Sequence, residues 1–186
     1  MPRPPRNLND GLHHVTARAS DTRRLFDTDA SRNMFLDRLA ATLANFEIGL
    51  VTWTLMGTHY HLVITSPGTG LSSALQRLHS WYSRLHNQTR SRSAHLFRAH
   101  FFSRQIDSDE DLLGVCRYVA RSPVEAALVR NPLDWRWSSA RTSAGLERPH
   151  IPLDDEPLRA ALGGDPHWRA RYRDFVERAE NASQPG

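Results

Sequence analysis

Apolar residues recur along this chain with two periods, near 2 and near 3.6, and the switches between them mark its elements. His13 to Ser20 alternates in part and predicts a strand. Phe35, Leu36, Leu39, Ala40 and Leu43 share one helical stripe, so Ser31 to Asn45 predicts a helix. Two apolar runs, Leu50 to Met56 and His59 to Ser66, flank Gly57-Thr58 and predict a hairpin that ends at Pro67-Gly-Thr-Gly. From Leu71 to Gln88 the apolar positions keep helical spacing throughout, with Leu75, Leu78 and Tyr82 inward. Phe101 to Ile106 predicts a fourth strand, Asp109 to Arg121 a third helix and Arg169 to Ala179 a last short one. The order strand, helix, strand, strand, helix, strand, then helices, fits an α+β domain. It predicts a ferredoxin-like antiparallel sheet with helices packed on one face, plus C-terminal helices. Along the chain this divides into a flexible tail at residues 1–10, one domain over 11–145 and a helical extension over 146–186.

Two features of this layout carry candidate chemistry. His59 and His61 stand two apart at the start of a strand, so both imidazoles project from one face and Tyr60 from the other. Two neutral imidazoles on one rigid strand make half of a divalent-metal site, or a clamp on a phosphate. In the third helix, Leu112, Leu113, Cys116 and Val119 form the apolar stripe. At roughly 100° per residue, Tyr118 falls on nearly the opposite side from that stripe and faces outward, flanked in sequence by Arg117 and Arg121. Ser122-Pro-Val-Glu125 has the form of a capping box with proline at the first helical position. It predicts that the tyrosine helix breaks at Ser122 and that another starts toward Val129. Cys116, on the stripe, is expected to be an inert buried thiol.

Composition changes the picture in a few respects. A chain of 186 residues is long enough for one domain with a real core, and 39% hydrophobic content makes that core modest. All 24 basic residues are arginine, whose planar forks suit bidentate phosphate and base contacts. The net charge of +4 permits a polyanionic partner without demanding one. A single cysteine excludes an internal disulfide and a thiolate zinc centre. The first residues lack the apolar core of a signal peptide, and no stretch reaches the length of a membrane span. A cytoplasmic, nucleoid-associated protein with no membrane partner is expected.

Read in order, the motifs resemble the REP-associated tyrosine transposases, a branch of the single-tyrosine HUH transposases. His14-Val-Thr-Ala-Arg18 opens the domain as in that family, and Leu55-Met-Gly-Thr-His-Tyr-His-Leu-Val63 is similar to its histidine–hydrophobic–histidine strand. His95-Leu-Phe97 matches the segment before the fourth strand. Tyr118-Val-Ala-Arg-Ser-Pro-Val124 resembles the tyrosine-helix signature, and Trp135-Arg-Trp-Ser-Ser139 the turn that follows. Arg171-Tyr-Arg-Asp-Phe-Val176 is similar to the family's C-terminal helix.

The resemblance implies an enzyme that nicks and rejoins single-stranded DNA at short palindromic hairpins of bacterial genomes. It makes Tyr118 the nucleophile, forming a 5′-phosphotyrosine link whose reversal reseals DNA without ATP. It makes His59 and His61 ligands of Mg²⁺ or Mn²⁺, with Ser122 at the position of a third ligand. The partner is single-stranded or hairpin DNA, and the protein a monomer or homodimer. DNA contacts are expected from His14, Arg18, Arg77, Arg84, Arg98 and Arg104, with Arg117 and Arg121 gripping phosphate or assisting Tyr118. Two departures stand out. Gly57-Thr58 replaces the usual Pro-Asn turn, and Ser122 replaces an Asn or Gln, a longer and better ligand. The second keeps an alternative open: a domesticated relative that binds hairpin DNA and cuts it weakly. A third class, a phosphodiesterase acting on small nucleotides, would pair His59 and His61 with His13-His14-Val-Thr16 as a second motif.

Overall fold

The computed structural model describes residues 10–20, 23–68, 70–90, 95–98 and 100–178. The N-terminal tail therefore lies outside the described residues except for Asp10, as do residues 91–94 and the last eight residues. Four strands form one sheet: β1 (Asp10–Arg18), β2 (Gly49–Leu55), β3 (His59–Pro67) and β4 (Phe102–Ile106). Their spatial order is β2-β3-β1-β4 and every pair is antiparallel. Helices α1 (Asp29–Asn45) and α2 (Leu71–Gln88) complete the expected strand–helix unit, α3 (Asp109–Glu125) follows β4, and α4 (Ala140–Ser143), α5 (Glu156–Ala161) and α6 (Trp168–Glu177) close the chain.

The α+β class and the antiparallel sheet are as the periodicity indicates, but helices cover both faces of the sheet. Alternation along β3 sends Tyr60, Leu62 and Ile64 into one core with Val15 of β1, Phe35 and Leu39 of α1 and Leu75 and Leu78 of α2. Val63 points the other way, into a second core with Val51, Leu112, Cys116 and Val119. The expectation of one helical face thus holds for α1 and α2 alone. Val51 of β2, Val63 of β3 and Ile106 of β4 leave an apolar patch on the opposite face, and a second layer is needed to dry it. That layer is α3 with α5 and α6, whose Leu158, Trp168, Tyr172 and Val176 are buried in the second core. The segment expected as an extension after residue 145 therefore shares a core with the sheet.

Local chemistry sets the ends of the helices. Thr28 caps α1 reciprocally with Ser31. Gly70, at φ 95°, supplies the left-handed entry to α2. Ser108 caps α3, and Asp109, Glu110 and Asp111 place negative charge in its first turn.

At the other end of α3 the sequence expectation fails. The helix does not break at Ser122; it continues through Pro123 to Glu125. Ser122 caps nothing: its hydroxyl donates to the carbonyl of Tyr118 at 2.8 Å, one turn back. Proline removes one amide from the ladder, and so near the end of the helix that loss is small. The chain leaves α3 with Ala127 at φ 55°, and the amides of Ala127 and Leu128 return to the carbonyls of Val124 and Pro123.

Candidate active site

The antiparallel register assembles a polar cluster on the α3 face of the sheet. On β1, His14, Thr16 and Arg18 alternate toward this face; on β3, His59 and His61 do. Thr16 lies directly across from His61, Arg18 from His59, and His14 from Arg104 of β4. Thr16 Oγ1 is 3.0 Å from His61 Nδ1, and His14 Nε2 is 3.1 Å from the same nitrogen. The rings of His59 and His61 have centroids 5.0 Å apart and nearly perpendicular planes, and Thr58 Oγ1 is 3.1 Å from His59 Nδ1.

Tyr118 joins this cluster from α3. Its ring lies edge-on to His61 with centroids 5.3 Å apart, and to His14 at 6.0 Å. It sits at the margin of the buried stripe, turned toward the histidines. With 42% of its surface exposed it remains open to a large ligand. An open groove of about 560 Å³ between α3 and α6 begins at Tyr118 and runs past Leu113, Arg117 and Phe175.

All three histidines are held neutral at pH 7. Burial lowers His61 to about 3, helped by His59, His14 and Arg18. Burial also lowers His59 to about 4, with Arg18 adding to it, and His14 to about 4, with Arg104 adding to it. Neutral imidazole is the form that binds a metal. The donor set fits one: His61 Nε2 is buried with no hydrogen-bond partner, a polar atom that needs an occupant. Among the described residues, no three His, Cys, Asp or Glu side chains form a ready-made ligand set. The paired imidazoles alone would supply half of one. Ser122, buried at the same end of α3, spends its hydroxyl proton on the Tyr118 carbonyl.

The expected DNA-contacting arginines divide into two groups. Arg104 makes a bidentate pair with Asp111, at 2.7 and 2.9 Å, and fastens the start of α3 to β4. Arg117 and Arg121 turn away from Tyr118 onto the last carbonyls of α6. Arg117 donates to Phe175 and Arg178, and Arg121 to Val176 and Arg178. Arg18 and Arg98, by contrast, are exposed and adjacent: the Arg98 amide donates to the Arg18 carbonyl at 3.0 Å. Arg77 and Arg84 are exposed on α2, in the layer opposite α3. His14 is drawn into the histidine cluster.

Sequence reasoning gave no separate role to Thr16 and Thr58. Thr16 was legible in principle, because it alternates with His14 and Arg18 on one strand.

Comparison with known proteins agrees with this arrangement. No curated protein matches the chain. A solved structure of a REP-associated tyrosine transposase bound to a REP hairpin superimposes with a TM-score of 0.67 at 17% identity, covering 83% of this chain and 93% of that one. At that identity the likeness is one of fold. The profile of a family described as IS200-like transposases matches residues 8–122, which hold the whole sheet, both histidines of β3 and Tyr118. With more than half of its length matched, the chain belongs to the IS200-like transposase family.

Proposed function

We propose that this transposase nicks and rejoins single-stranded DNA at REP-type hairpins through Tyr118. The observation that carries the proposal is the convergence of the Tyr118 ring on His61, 5.3 Å away, beside a buried imidazole nitrogen without a partner. The phenol oxygen attacks the phosphorus of a phosphodiester, the bond from phosphorus to the 3′-oxygen breaks, and the phenol proton is lost as the 3′-oxygen gains one. The product is a 5′-phosphotyrosine and a free 3′-hydroxyl. The link conserves the phosphodiester energy, so attack by a 3′-hydroxyl restores both the strand and Tyr118.

His59 and His61 would hold Mn²⁺ or Mg²⁺, which when bound polarises the scissile phosphate as a Lewis acid. Imidazole favours manganese of the two. The donors that Ser122 does not supply fall to phosphate oxygens and water. Arg18 and Arg98, beside the histidine strand, would grip the phosphates of the reacting strand. Arg77 and Arg84 would contact only hairpin DNA that wraps to the far layer. All members of the site come from one chain, so cleavage in cis by a monomer needs no exchanged helix. Action on chromosomal hairpins would make the protein cytoplasmic and nucleoid-associated; among the described residues no helix is long and apolar enough to cross a membrane. The phosphodiesterase alternative needs His14 Nε2 free for substrate, and that atom is turned onto His61 Nδ1.

The test uses a REP-type hairpin oligonucleotide labelled at either end, incubated with Mn²⁺. A covalent adduct carrying the label 3′ of the cut should form with the wild type and vanish in Tyr118→Phe and His59→Ala. An adduct that survives Tyr118→Phe removes the proposed nucleophile. One observation favours a second reading, a hairpin-binding relative that no longer cuts: the Ser122 hydroxyl serves the helix instead of the site. That reading predicts chelator-resistant hairpin binding with no adduct.

A further inference from the structure

We propose that Thr16, together with His14, is a positioning residue that fixes the tautomer of His61 and so presents Nε2 as a lone pair toward the metal. The inference rests on the metal-binding reading above and assigns a role to residues outside the ligand set. Three atoms meet at one corner of the site: Thr16 Oγ1, His14 Nε2 and His61 Nδ1, separated by 3.0, 3.1 and 3.4 Å. Two kinds of proton arrangement satisfy that triangle, distinguished by the tautomer of His61, each running through Thr16 or directly across the 3.1 Å contact between the two imidazoles. In one, His61 Nδ1–H donates to Thr16 Oγ1, and the threonine hydroxyl donates onward to His14 Nε2. In the other, the relay runs backward from His14 through the threonine, and the proton of His61 sits on Nε2.

The far side of the His61 ring separates the two. Nε2 is fully buried and meets no acceptor. Without a partner that nitrogen costs about 1–3 kcal/mol in either state; an orphaned donor is the rarer of the two in folded proteins, and only a lone pair can be satisfied by a cation. The first arrangement leaves a lone pair instead, the state a cation can use. Ligating histidines are commonly fixed in this way, by a partner on the nitrogen that does not bind metal. His59 has a similar partner, since Thr58 Oγ1 is 3.1 Å from its Nδ1. Each imidazole of the pair thus has a threonine hydroxyl behind it, and Thr58 comes from the Gly57-Thr58 turn.

Two measurements decide the matter. Long-range ¹H–¹⁵N correlation on the metal-free protein at pH 7 reads the tautomer directly. His61 should be protonated at Nδ1, and Thr16→Val should lose that preference. A His61 protonated at Nε2 in the wild type overturns the proposal, whatever the metal does. Titration with Mn²⁺, followed by electron paramagnetic resonance, then reads affinity without DNA or turnover. Thr16→Val should weaken Mn²⁺ binding about 10- to 100-fold, Thr16→Ser should restore it to within about threefold, and His61→Ala should abolish it. Wild-type affinity in Thr16→Val also overturns the proposal. If the wild-type protein takes up no Mn²⁺, the metal reading fails, and the tautomer spectrum still judges the role of Thr16.

Discussion

Arg117 and Arg121 flank the nucleophile in sequence, yet their guanidiniums face the end of α6, and replacing both tests what they do. Arg117→Met/Arg121→Met keeps the aliphatic stems and removes, among other contacts, four hydrogen bonds to the end of α6. Two reach half-buried carbonyls, Phe175 at 3.1 Å and Val176 at 2.8 Å; two reach the exposed carbonyl of Arg178, at 2.5 and 3.3 Å. A charge-assisted bond at a half-buried acceptor is worth about 1.5 kcal/mol or somewhat more. An exposed one is worth about 0.5 kcal/mol after screening. Complementing the negative end of the helix dipole adds a few tenths. The sum is about 4–5 kcal/mol. For a domain of this size that is a fall in melting temperature of about 8–20 °C.

The assay pairs thermal denaturation with hairpin binding as a function of salt. If the two arginines brace α6, the variant melts early and keeps the wild-type slope of log K against log salt. If they grip phosphates, the slope drops by about 1.4–1.8, since each phosphate contact contributes about 0.7–0.9. An unchanged melting temperature with that reduced slope would refute the bracing role.

Other consequences are equally direct. His79, on α2, has Nε2 hydrogen-bonded with the Tyr60 hydroxyl at 2.6 Å and stacks on Phe97; burial, reinforced by His100, lowers it to about 4. The unfolded state then binds the proton first, so this contribution is intact above about pH 6.5 and drains away toward pH 4. Between pH 7 and 5 it amounts to about 2 kcal/mol, and chemical denaturation of His79→Gln should show an acid sensitivity shallower by that amount. Tyr60→Phe strands the His79 nitrogen and should cost about 1–3 kcal/mol at pH 7 in the same experiment. Ser122→Asn puts an amide carbonyl where the hydroxyl now serves the Tyr118 backbone. Mn²⁺ affinity and adduct yield should both rise several-fold, and a decrease in both would show that the position does not face the metal.

The legible parts of this chain share one property: their determinants are local. The hairpin and α2 could be bounded closely because clean periodicity is bracketed by Gly57-Thr58 and by glycines before Leu71. The pairing of His59 with His61 needed only strand alternation. Ser122-Pro123 misled because proline is equally at home at the start of a new helix and in the last turn of an old one. The choice between them lies in the serine–carbonyl bond and in the packing of Pro123, which no local pattern encodes. The arginines were opaque for the same reason. Arg104 is claimed by Asp111, and Arg117 and Arg121 by α6, more than fifty residues on. The second helical layer covers Val51 of β2 and Val63 of β3, two apolar positions whose meaning in the sequence is ambiguous until α3 is placed against them.

The most direct measurement is mass spectrometry of the protein–DNA adduct. Wild-type protein is trapped with a hairpin oligonucleotide and Mn²⁺, then digested with protease and nuclease. The peptide spanning Tyr118 should carry one nucleotide through its 5′-phosphate, and the modification should be missing from His59→Ala and His61→Ala. A nucleotide on any other residue, or one on Tyr118 that forms equally well without the two histidines, would contradict a single site built from all three.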